Sequence, residues 1–237
     1  MPGRMPKSRV EDRFLREDQL MTQRNIIILI CIAFVIGGFI YAKSVNINLL
    51  GLNQGFAPEQ PLAFSHRLHS GDLTIPCLYC HSGAEKGAPA GIPAASTCMN
   101  CHRFVTAGWD QMKIEEKKAE EEKRDLQLVV SPELQKLYRA IGYSTEAMAY
   151  QGQPGKPFEW VRVHDLPDFV FFDHSRHVTA DVACQTCHGP VETMETLYQD
   201  ADLSMGWCVN CHRDVNSGKN PDLQGKYASI SCAVCHY

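Results

Sequence analysis

One long apolar run interrupts the mixed pattern of the chain, and it extends from Ile26 to Ala42. Its seventeen residues carry no charge, which places it at the lower limit for a helix that crosses a bilayer. Six basic side chains precede the run among four acids, which contribute little to orientation, and basic flanks stay in the cytoplasm. The pattern predicts a cytoplasmic leader at 1–25 and one transmembrane anchor at 26–42 in the inner membrane. Everything after Lys43 is expected on the periplasmic side.

A cleaved signal peptide is the competing interpretation, because it also combines a basic start with an apolar stretch. The long polar leader and the length of the apolar run favour the anchor. Cys31 lies inside the run, where a cysteine behaves as a small apolar residue that faces lipid or another helix.

The pattern after the anchor predicts helices and loops with few strands. Residues 109–125 are rich in strong helix formers, with Glu and Lys at i,i+4 spacing, and predict an exposed helix. This helix is interpreted as a solvated connector, and a docking face for a charged partner is the alternative. A Ser-Pro pair at Ser131 predicts the start of a second helix that extends to Ala140. Glycine and proline make loops of residues 83–93 and 151–157.

The composition of the chain is unusual in its numbers of cysteine and histidine residues. The 237 residues carry 23 basic and 27 acidic side chains, a net charge of −4, which argues against a nucleic-acid partner. Eleven cysteines and ten histidines are far more than packing requires in a chain of this size. Since one run holds part of the apolar content, the rest of the chain is short of core residues.

Ten of the cysteines form five copies of one string, C-x-x-C-H, which is the attachment motif of c-type haem. In this motif two thiols bind the vinyl groups of one porphyrin as thioethers, and the adjacent imidazole binds the iron as proximal ligand. The sequence therefore predicts five covalently bound haems c, numbered I to V in chain order. The copies are Cys77-Leu-Tyr-Cys80-His81, Cys98-Met-Asn-Cys101-His102, Cys184-Gln-Thr-Cys187-His188, Cys208-Val-Asn-Cys211-His212 and Cys232-Ala-Val-Cys235-His236.

Three other uses of paired cysteines compete with haem. Structural zinc uses C-x-x-C pairs, but it does not explain five copies that are each followed by histidine. A disulfide framework suits an exported chain and gives no reason for these histidines. A thioredoxin-like redox motif requires a βαβ pattern, which the sequence lacks. Covalent haem accounts for the whole string, and haem attachment outside the cytoplasm agrees with export.

Five histidines remain outside the attachment motifs, and a low-spin haem needs a second axial ligand. Four of them form two F-x-H-x-x-H strings, shortly before the first and third motifs, where i,i+3 positions on a helical turn can serve two irons. The strings belong to a repeat that covers about 62–104 and about 168–215, with the fifth motif appended to the second copy. The five candidate ligands are His66, His69, His164, His174 and His177.

The combination of F-x-H-x-x-H with successive C-x-x-C-H motifs resembles the small class III multihaem cytochromes of the three- and four-haem kind. In that family the first histidine of the pair binds the haem of the next motif, and the second binds a neighbouring haem. The resemblance implies His66 as the distal ligand of haem I and His174 as that of haem III. It implies His69 for haem II and His177 for haem IV.

This resemblance assigns no histidine to haem V. Where the three-haem family has a further histidine before its second motif, this chain has Met205 in Leu-Ser-Met-Gly-Trp. Met205 is therefore a candidate sixth ligand of haem V, and a core role beside Trp207 is the alternative. His164 competes for this position or for one of the others, so six candidates face five irons. A methionine ligand raises the potential of a haem, which makes haem V the expected exit of an electron path.

The order of elements resembles the pentahaem cytochrome subunit of alternative complex III. It comprises an anchor, two haems, a charged connector, the segment from Trp160 to His177 and three more haems. The resemblance covers most of residues 60–237. It implies an electron-relay subunit of a respiratory complex that oxidises membrane quinol and passes electrons to a monohaem cytochrome c or a terminal oxidase. The implied partners are polytopic quinol-binding subunits and an iron-sulfur, molybdopterin-oxidoreductase-like subunit.

The expected fold is mainly α with much irregular loop, organised around five covalent haems, plus one N-terminal transmembrane helix. About 35 residues per porphyrin leave no room for a conventional core, so the haems are expected to supply it. The expected segments after the anchor are a linker at 43–61, a two-haem module at 62–108, a helical connector at 109–158 and a three-haem module at 159–237.

Two other functions stay open at this point. A catalytic multihaem reductase needs an iron with an open coordination site, whereas a sixth ligand is available here for every iron. A stand-alone, membrane-anchored quinol dehydrogenase is the second alternative, in which the cytochrome itself meets the quinol. No catalytic residue is predicted in the chain.

Overall fold

A computed structural model describes the backbone of residues 7–44 and 53–236, with side chains for residues 20–41 and 53–236. The chain forms two compact units, Met1–Leu50 and Gly51–Tyr237. The described α-helices are α1 Lys7–Ser44, α2 Cys77–Cys80, α3 Ala95–His102, α4 Trp109–Glu122, α5 Pro132–Ile141, α6 His174–Thr179, α7 Gln185–His188, α8 Met205–Asn216 and α9 Cys232–Cys235. A π-helical turn lies at Arg67–Asp72, and 3-10 turns lie at Ser82–Glu85, Val191–Thr193 and Pro221–Leu223.

The described part of the first unit is one helix, α1. It begins at Lys7, well before the apolar run, and does not stop at the predicted boundary after residue 25. From Leu20 to Tyr41 it has the length and composition of a membrane span, and its large apolar side chains are exposed. A membrane span and a signal sequence share these properties, so the structure agrees with either interpretation of this segment.

The second unit is built from short helices joined by irregular loops, which confirms the prediction of a mainly α chain with much loop. Its described residues contain one antiparallel hairpin, formed by β1 Tyr143–Ser144 and β2 Ala149–Tyr150. Residues 151–157 form the predicted loop, and residues 83–93 do so after the 3-10 turn that ends at Glu85.

Both helices predicted between the repeats are present as α4 and α5. The Ser131 hydroxyl accepts a hydrogen bond from the Leu134 N–H at the start of α5, and Gly142 ends this helix with a φ of 67°. Arg124 folds back at the end of α4 and binds Glu115 at 2.5 Å. The hydrogen bond from this guanidinium lowers the pKa of Glu115 to about 2. Local sequence signals therefore place these elements correctly.

The main buried cluster joins α3 to α5. Met99, Leu137 and Tyr138 are buried together, and the Tyr138 hydroxyl donates to the carbonyl oxygen of His102 at 2.5 Å. The second helix of the connector thus packs directly on the helix that carries the second attachment motif. Both α4 and the stretch from the hairpin to residue 157 are largely solvated, so the connector expected at 109–158 is packed mainly at α5.

Little else in the described part of the second unit is buried. Large hydrophobic side chains beside the attachment motifs are exposed, among them Leu73, Tyr79, Phe104 and Val234. The remaining buried side chains are scattered, at Leu62, Ala84, Ala119, Val163, Met194, Gln199, Val215 and Leu223. The polypeptide alone does not enclose a core, as expected where a cofactor forms part of the apolar interior.

Candidate haem-binding sites

Each of the five attachment motifs lies in a helix or at the start of one. The second motif of each repeat lies in a longer helix, α3 or α8, whereas the other three form the single-turn helices α2, α7 and α9. Residues three positions apart on a helical turn point to the same side, so this conformation presents both cysteines of a motif together. No disulfide joins any of these ten cysteines in the described part of the chain.

The two F-x-H-x-x-H strings adopt the same local structure. In each, the phenylalanine ring meets the first histidine edge-on and stacks on the second. The centroid distances are 4.9 and 4.3 Å from Phe64 to His66 and His69, and 4.8 and 4.6 Å from Phe172 to His174 and His177. In both repeats the Nδ1 atom of the second histidine lies 2.9 or 3.0 Å from the carbonyl oxygen four residues earlier. The same ring stacking and the same backbone hydrogen bond therefore orient each histidine pair.

Three histidines of these strings face a proximal histidine across gaps of nearly equal width. Two imidazoles bonded to opposite sides of one metal ion at about 2 Å have ring centroids on the order of 6 Å apart. The gaps therefore fit one axially coordinated iron each. The centroid distances are 6.1 Å for His69 and His102, 6.2 Å for His177 and His212, and 6.2 Å for His174 and His188.

His66 lies beside the proximal histidine of the first motif. Burial, together with the charges of His81 and His69, lowers the pKa of His66 to about 4. The Nδ1 atom of His66 is buried with no hydrogen-bond partner among the described residues. Since metals bind the neutral imidazole, a buried and uncharged His66 suits an iron site.

Four of the five proximal histidines hold their Nδ1 atom against a backbone carbonyl oxygen. A bond of this kind orients the ring and leaves Nε2 for a metal. The fifth, His188, differs, because its Nδ1 atom lies 3.2 Å from Nε2 of His164. The four carbonyl distances are 2.7 Å from His81 to Gly91, 2.8 Å from His102 to Val105, 2.6 Å from His212 to Ser229 and 3.3 Å from His236 to Phe169.

His164 stands against the proximal ligand of the third motif. The ring centroids of His164 and His188 are 4.3 Å apart, and the ring planes are nearly perpendicular at 77°. Burial lowers the pKa of both histidines, that of His188 to about 4, and the charge of His164 contributes to the lowering at His188. The sequence offered His164 as a sixth ligand, whereas the structure places it beside a proximal histidine.

Met205 opens α8, and its side chain is 70% exposed, like other large apolar side chains beside the attachment motifs. The fifth motif docks on the segment before α6. There the Phe171 N–H donates to the carbonyl oxygen of Cys235 at 2.8 Å, and Phe169 stacks on His236 with centroids 5.8 Å apart.

The two repeats support each other's histidines. The turn that carries His69 packs on Val191–Thr193 of the second repeat, and Arg67 binds Glu195 there at 3.1 Å. In return, the Nδ1 atom of His174 lies 2.6 Å from the carbonyl oxygen of Ala88 in the first repeat. The stretch after the first attachment motif of each repeat therefore holds the histidine pair of the other. No sequence pattern predicted this crossed packing.

A close approach at Gly71 makes the crossed packing testable. A Cβ atom added there would lie 2.2 Å from the backbone carbonyl oxygen of Glu192. We expect Gly71→Ala to lower the free energy of unfolding by about 1–3 kcal/mol through overpacking. The control Gly87→Ala, with no described atom within 4 Å of the added Cβ, should change it by less than about 0.5 kcal/mol. Denaturant unfolding of the haem-loaded protein measures both, and equal stability of the two variants would contradict the packing.

Cysteines of different motifs lie close enough to influence one another. Burial raises the pKa of Cys187 to about 11, and the charges of Cys211 and Cys208 contribute to the rise. Burial also raises the pKa of Cys184, with a contribution from the charge and hydrogen bond of Cys77. The third motif therefore has the fourth motif on one side and the first on the other.

Two further cysteine contacts extend this series at its ends. Burial raises the pKa of Cys80, and the charge of Cys101 adds to it. Burial likewise raises the pKa of Cys208, and the charge of Cys235 raises it as well. In space the first motif therefore lies close to both the second and the third, and the fourth lies close to both the third and the fifth.

These side chains fit haem c. Paired thiols, imidazole pairs with room for one metal ion and exposed apolar side chains around the motifs are what a covalently attached porphyrin requires. The fold and the sites have the features of a multihaem c-type cytochrome.

Comparison with known proteins agrees with this class. Residues 170–237, which include the last three attachment motifs, match the family model described as cytochrome c7 and related cytochrome c. The chain is also 27% identical over 198 residues to the multihaem cytochrome c subunit of menaquinone reductase from Nitratidesulfovibrio vulgaris Hildenborough, an alignment that covers 75% of this chain and 77% of that protein. These findings support the resemblance to multihaem cytochromes c, a class of protein that binds haem covalently.

Proposed function

We propose that this chain is a membrane-anchored pentahaem cytochrome c that relays electrons within a quinol-oxidising respiratory complex similar to alternative complex III. The observation that carries the proposal is the spacing of 6.1–6.2 Å between distal and proximal histidine rings at three attachment motifs. A haem c bound at each motif supplies a reversible one-electron iron couple. The ten cysteines hold all five groups covalently.

The distal ligands are assigned from their surroundings. Ring spacing supports His69 for haem II, His174 for haem III and His177 for haem IV, while burial beside the first motif supports His66 for haem I. Met205 is the sixth ligand proposed for haem V. With two axial ligands on every iron, the side chains favour electron transfer over binding of a substrate, which argues against a catalytic reductase.

The order of the attachment motifs in space supports a linear path. Neighbouring cysteines bring haem II next to haem I, haem I next to haem III, and so on to haems IV and V. The two ends of this series lie on α3 and α9. A methionine ligand at haem V raises its potential relative to haems with two histidines, so electrons leave at the α9 end.

The membrane placement rests on the N-terminal unit. The apolar part of α1 has the length of a span, and its basic leader orients the haem-bearing unit to the periplasmic side. The printed name of the relative, a subunit of menaquinone reductase, supports assembly with membrane quinone partners. The proposed partners are polytopic quinol-binding subunits, an iron-sulfur, molybdopterin-oxidoreductase-like subunit and a monohaem cytochrome c.

Electron transfer toward menaquinone is the second candidate function, and the name of the relative is the observation that favours it. Quinol oxidation and electron transfer toward menaquinone use the same haem sites. They differ in the direction in which electrons pass along the haems. They also differ from a stand-alone quinol dehydrogenase, which needs no partner.

The test compares the full-length haem-loaded chain with the complex that co-purifies with it from membranes. Each is mixed with a menaquinol analogue, and haem reduction is followed by stopped-flow absorption. We expect the menaquinol analogue to reduce the haems of the complex but not those of the isolated chain. The reduced complex should then transfer electrons to an added monohaem cytochrome c. Reduction of the isolated chain would indicate a stand-alone quinol dehydrogenase. A complex that only passes electrons from pre-reduced haem to a menaquinone analogue would indicate the second candidate.

The Met205→Ala variant tests the ligand proposed for haem V. We expect electron paramagnetic resonance of the oxidised protein to lose one low-spin His/Met signal and to keep the signals of the haems with two histidines. Met148 is a similarly exposed methionine in the hairpin, so Met148→Ala is the matched control and should change nothing. An unchanged spectrum in Met205→Ala would move the sixth ligand to another side chain.

A further inference from the structure

We infer that His164 is a positioning residue for haem III, which accepts a hydrogen bond from the proximal histidine and thereby sets the ring orientation and the reduction potential of this haem. The Nδ1 atom of His188 and the Nε2 atom of His164 are 3.2 Å apart. The inference rests on the proposed attachment of haem III at Cys184 and Cys187.

The chemistry of the pair decides which nitrogen donates. When Nε2 of His188 binds the iron, the hydrogen of this neutral ring lies on Nδ1, which becomes a donor. Nε2 of His164 must then be the unprotonated acceptor, with its own ring hydrogen on Nδ1. The lone pair that His164 needs to bind an iron through Nε2 is therefore already in use.

Ring geometry separates His164 from the distal ligand of the same haem. The ring of His174 is 6.2 Å from that of His188 and nearly parallel to it, at 9°. The ring of His164 is 4.3 Å away and nearly perpendicular, which leaves no space for an iron between the two. His174 therefore fits the position across the iron, and His164 fits the position behind the proximal ring.

The segment around His164 is held in place by contacts on both sides. The side-chain amide of Gln60 pairs with the backbone of Val161 through two hydrogen bonds of 2.9 Å each. Val163 is buried, and the Arg162 side chain donates to the carbonyl oxygen of His164 at 3.1 Å. A ring that is fixed in this way can fix the ring next to it.

A substitution at His164 should affect the reduction potential of haem III only, because the other four proximal histidines donate to backbone carbonyls. A hydrogen bond from Nδ1 makes the ligating imidazole more basic, and a more basic ligand favours ferric iron. Loss of the His164 acceptor should therefore raise the potential of haem III and leave the other potentials unchanged.

Two variants of the full-length haem-loaded protein test this inference by redox titration followed optically and by electron paramagnetic resonance. His164→Leu removes the acceptor, and we expect an upward shift of one midpoint among the five with all haems still low-spin. His164→Gln keeps an acceptor oxygen, and we expect the midpoint to return toward the original value.

Three outcomes would overturn the inference. Five unchanged midpoints in His164→Leu would show that the hydrogen bond does not act on the haem. A new high-spin haem that binds carbon monoxide would show that His164 is itself an axial ligand. An equal shift in His164→Gln and His164→Leu would show a packing effect. Failure of the proposed function is distinguishable, because it would appear in the unmodified chain, as fewer than five haems by intact mass spectrometry or as a stopped-flow result against the relay, and neither measurement depends on His164.

Discussion

Without haem, the second unit is expected to lose roughly half or more of its helical structure. Its described residues form one buried cluster of Met99, Leu137 and Tyr138, and the other buried side chains are scattered. So small a core leaves little free energy to offset the entropy of ordering the chain. Producing the full-length chain in a host without c-type haem maturation should give a protease-sensitive protein. Its far-UV circular dichroism should retain the contribution of α1.

The matched comparison removes one haem instead of five. Changing Cys232 and Cys235 to serine deletes the last attachment site at the end of the chain, where α9 docks through its contacts with Phe169 and Phe171. We expect four haems, a local loss of protection around α9 and little change in the first repeat. A compact, protease-resistant chain with no haem at all would refute the view that the haems form the core.

The second large effect is expected when a distal histidine is removed. His177→Ala should leave haem IV with one axial ligand, and His69→Ala should do the same to haem II. In each variant one haem of five becomes high-spin and binds carbon monoxide after reduction. Its potential should also shift by on the order of 0.1 V, a part of the range of about 0.8 V that axial ligands cover.

The two variants serve as comparisons for each other, because the repeats place both histidines in the same stacked contact with a phenylalanine. Ser175→Ala, in the same short helix as His177 but off the ring stack, is the control for disturbing that helix. It should keep all haems low-spin. Carbon monoxide binding by the unmodified protein would support the alternative of a catalytic reductase. If His177→Ala does not bind carbon monoxide, His177 is not the distal ligand of haem IV.

Features set by neighbouring residues could be predicted from the sequence. The Ser131 cap and the Gly142 terminus lie within the helix that they bound, so their effect is local. The attachment motifs and the F-x-H-x-x-H strings are likewise complete within a few residues. Because the two strings are copies of one local pattern, their histidine pairs have the same geometry in the structure.

Contacts between distant parts of the chain could not be predicted in the same way. The bond from Ser65 to Glu195 spans 130 positions, and the packing of α3 on α5 joins a haem motif to a stretch that resembles a connector. Neither has a periodic signal. The sequence offers His164 as one of six candidate ligands for five irons, but its position beside His188 depends on a fold that brings residues 24 apart together across an irregular segment.

Every assignment of a ligand depends on five haems that are attached covalently to one polypeptide. Intact mass spectrometry of the purified, denatured chain tests this attachment most directly, because thioether-bound haem survives denaturation. We expect an added mass of five haem groups, which falls by one haem when both cysteines of any single motif are changed to serine. A chain that carries no porphyrin, or whose added mass is unaffected by these changes, would contradict it.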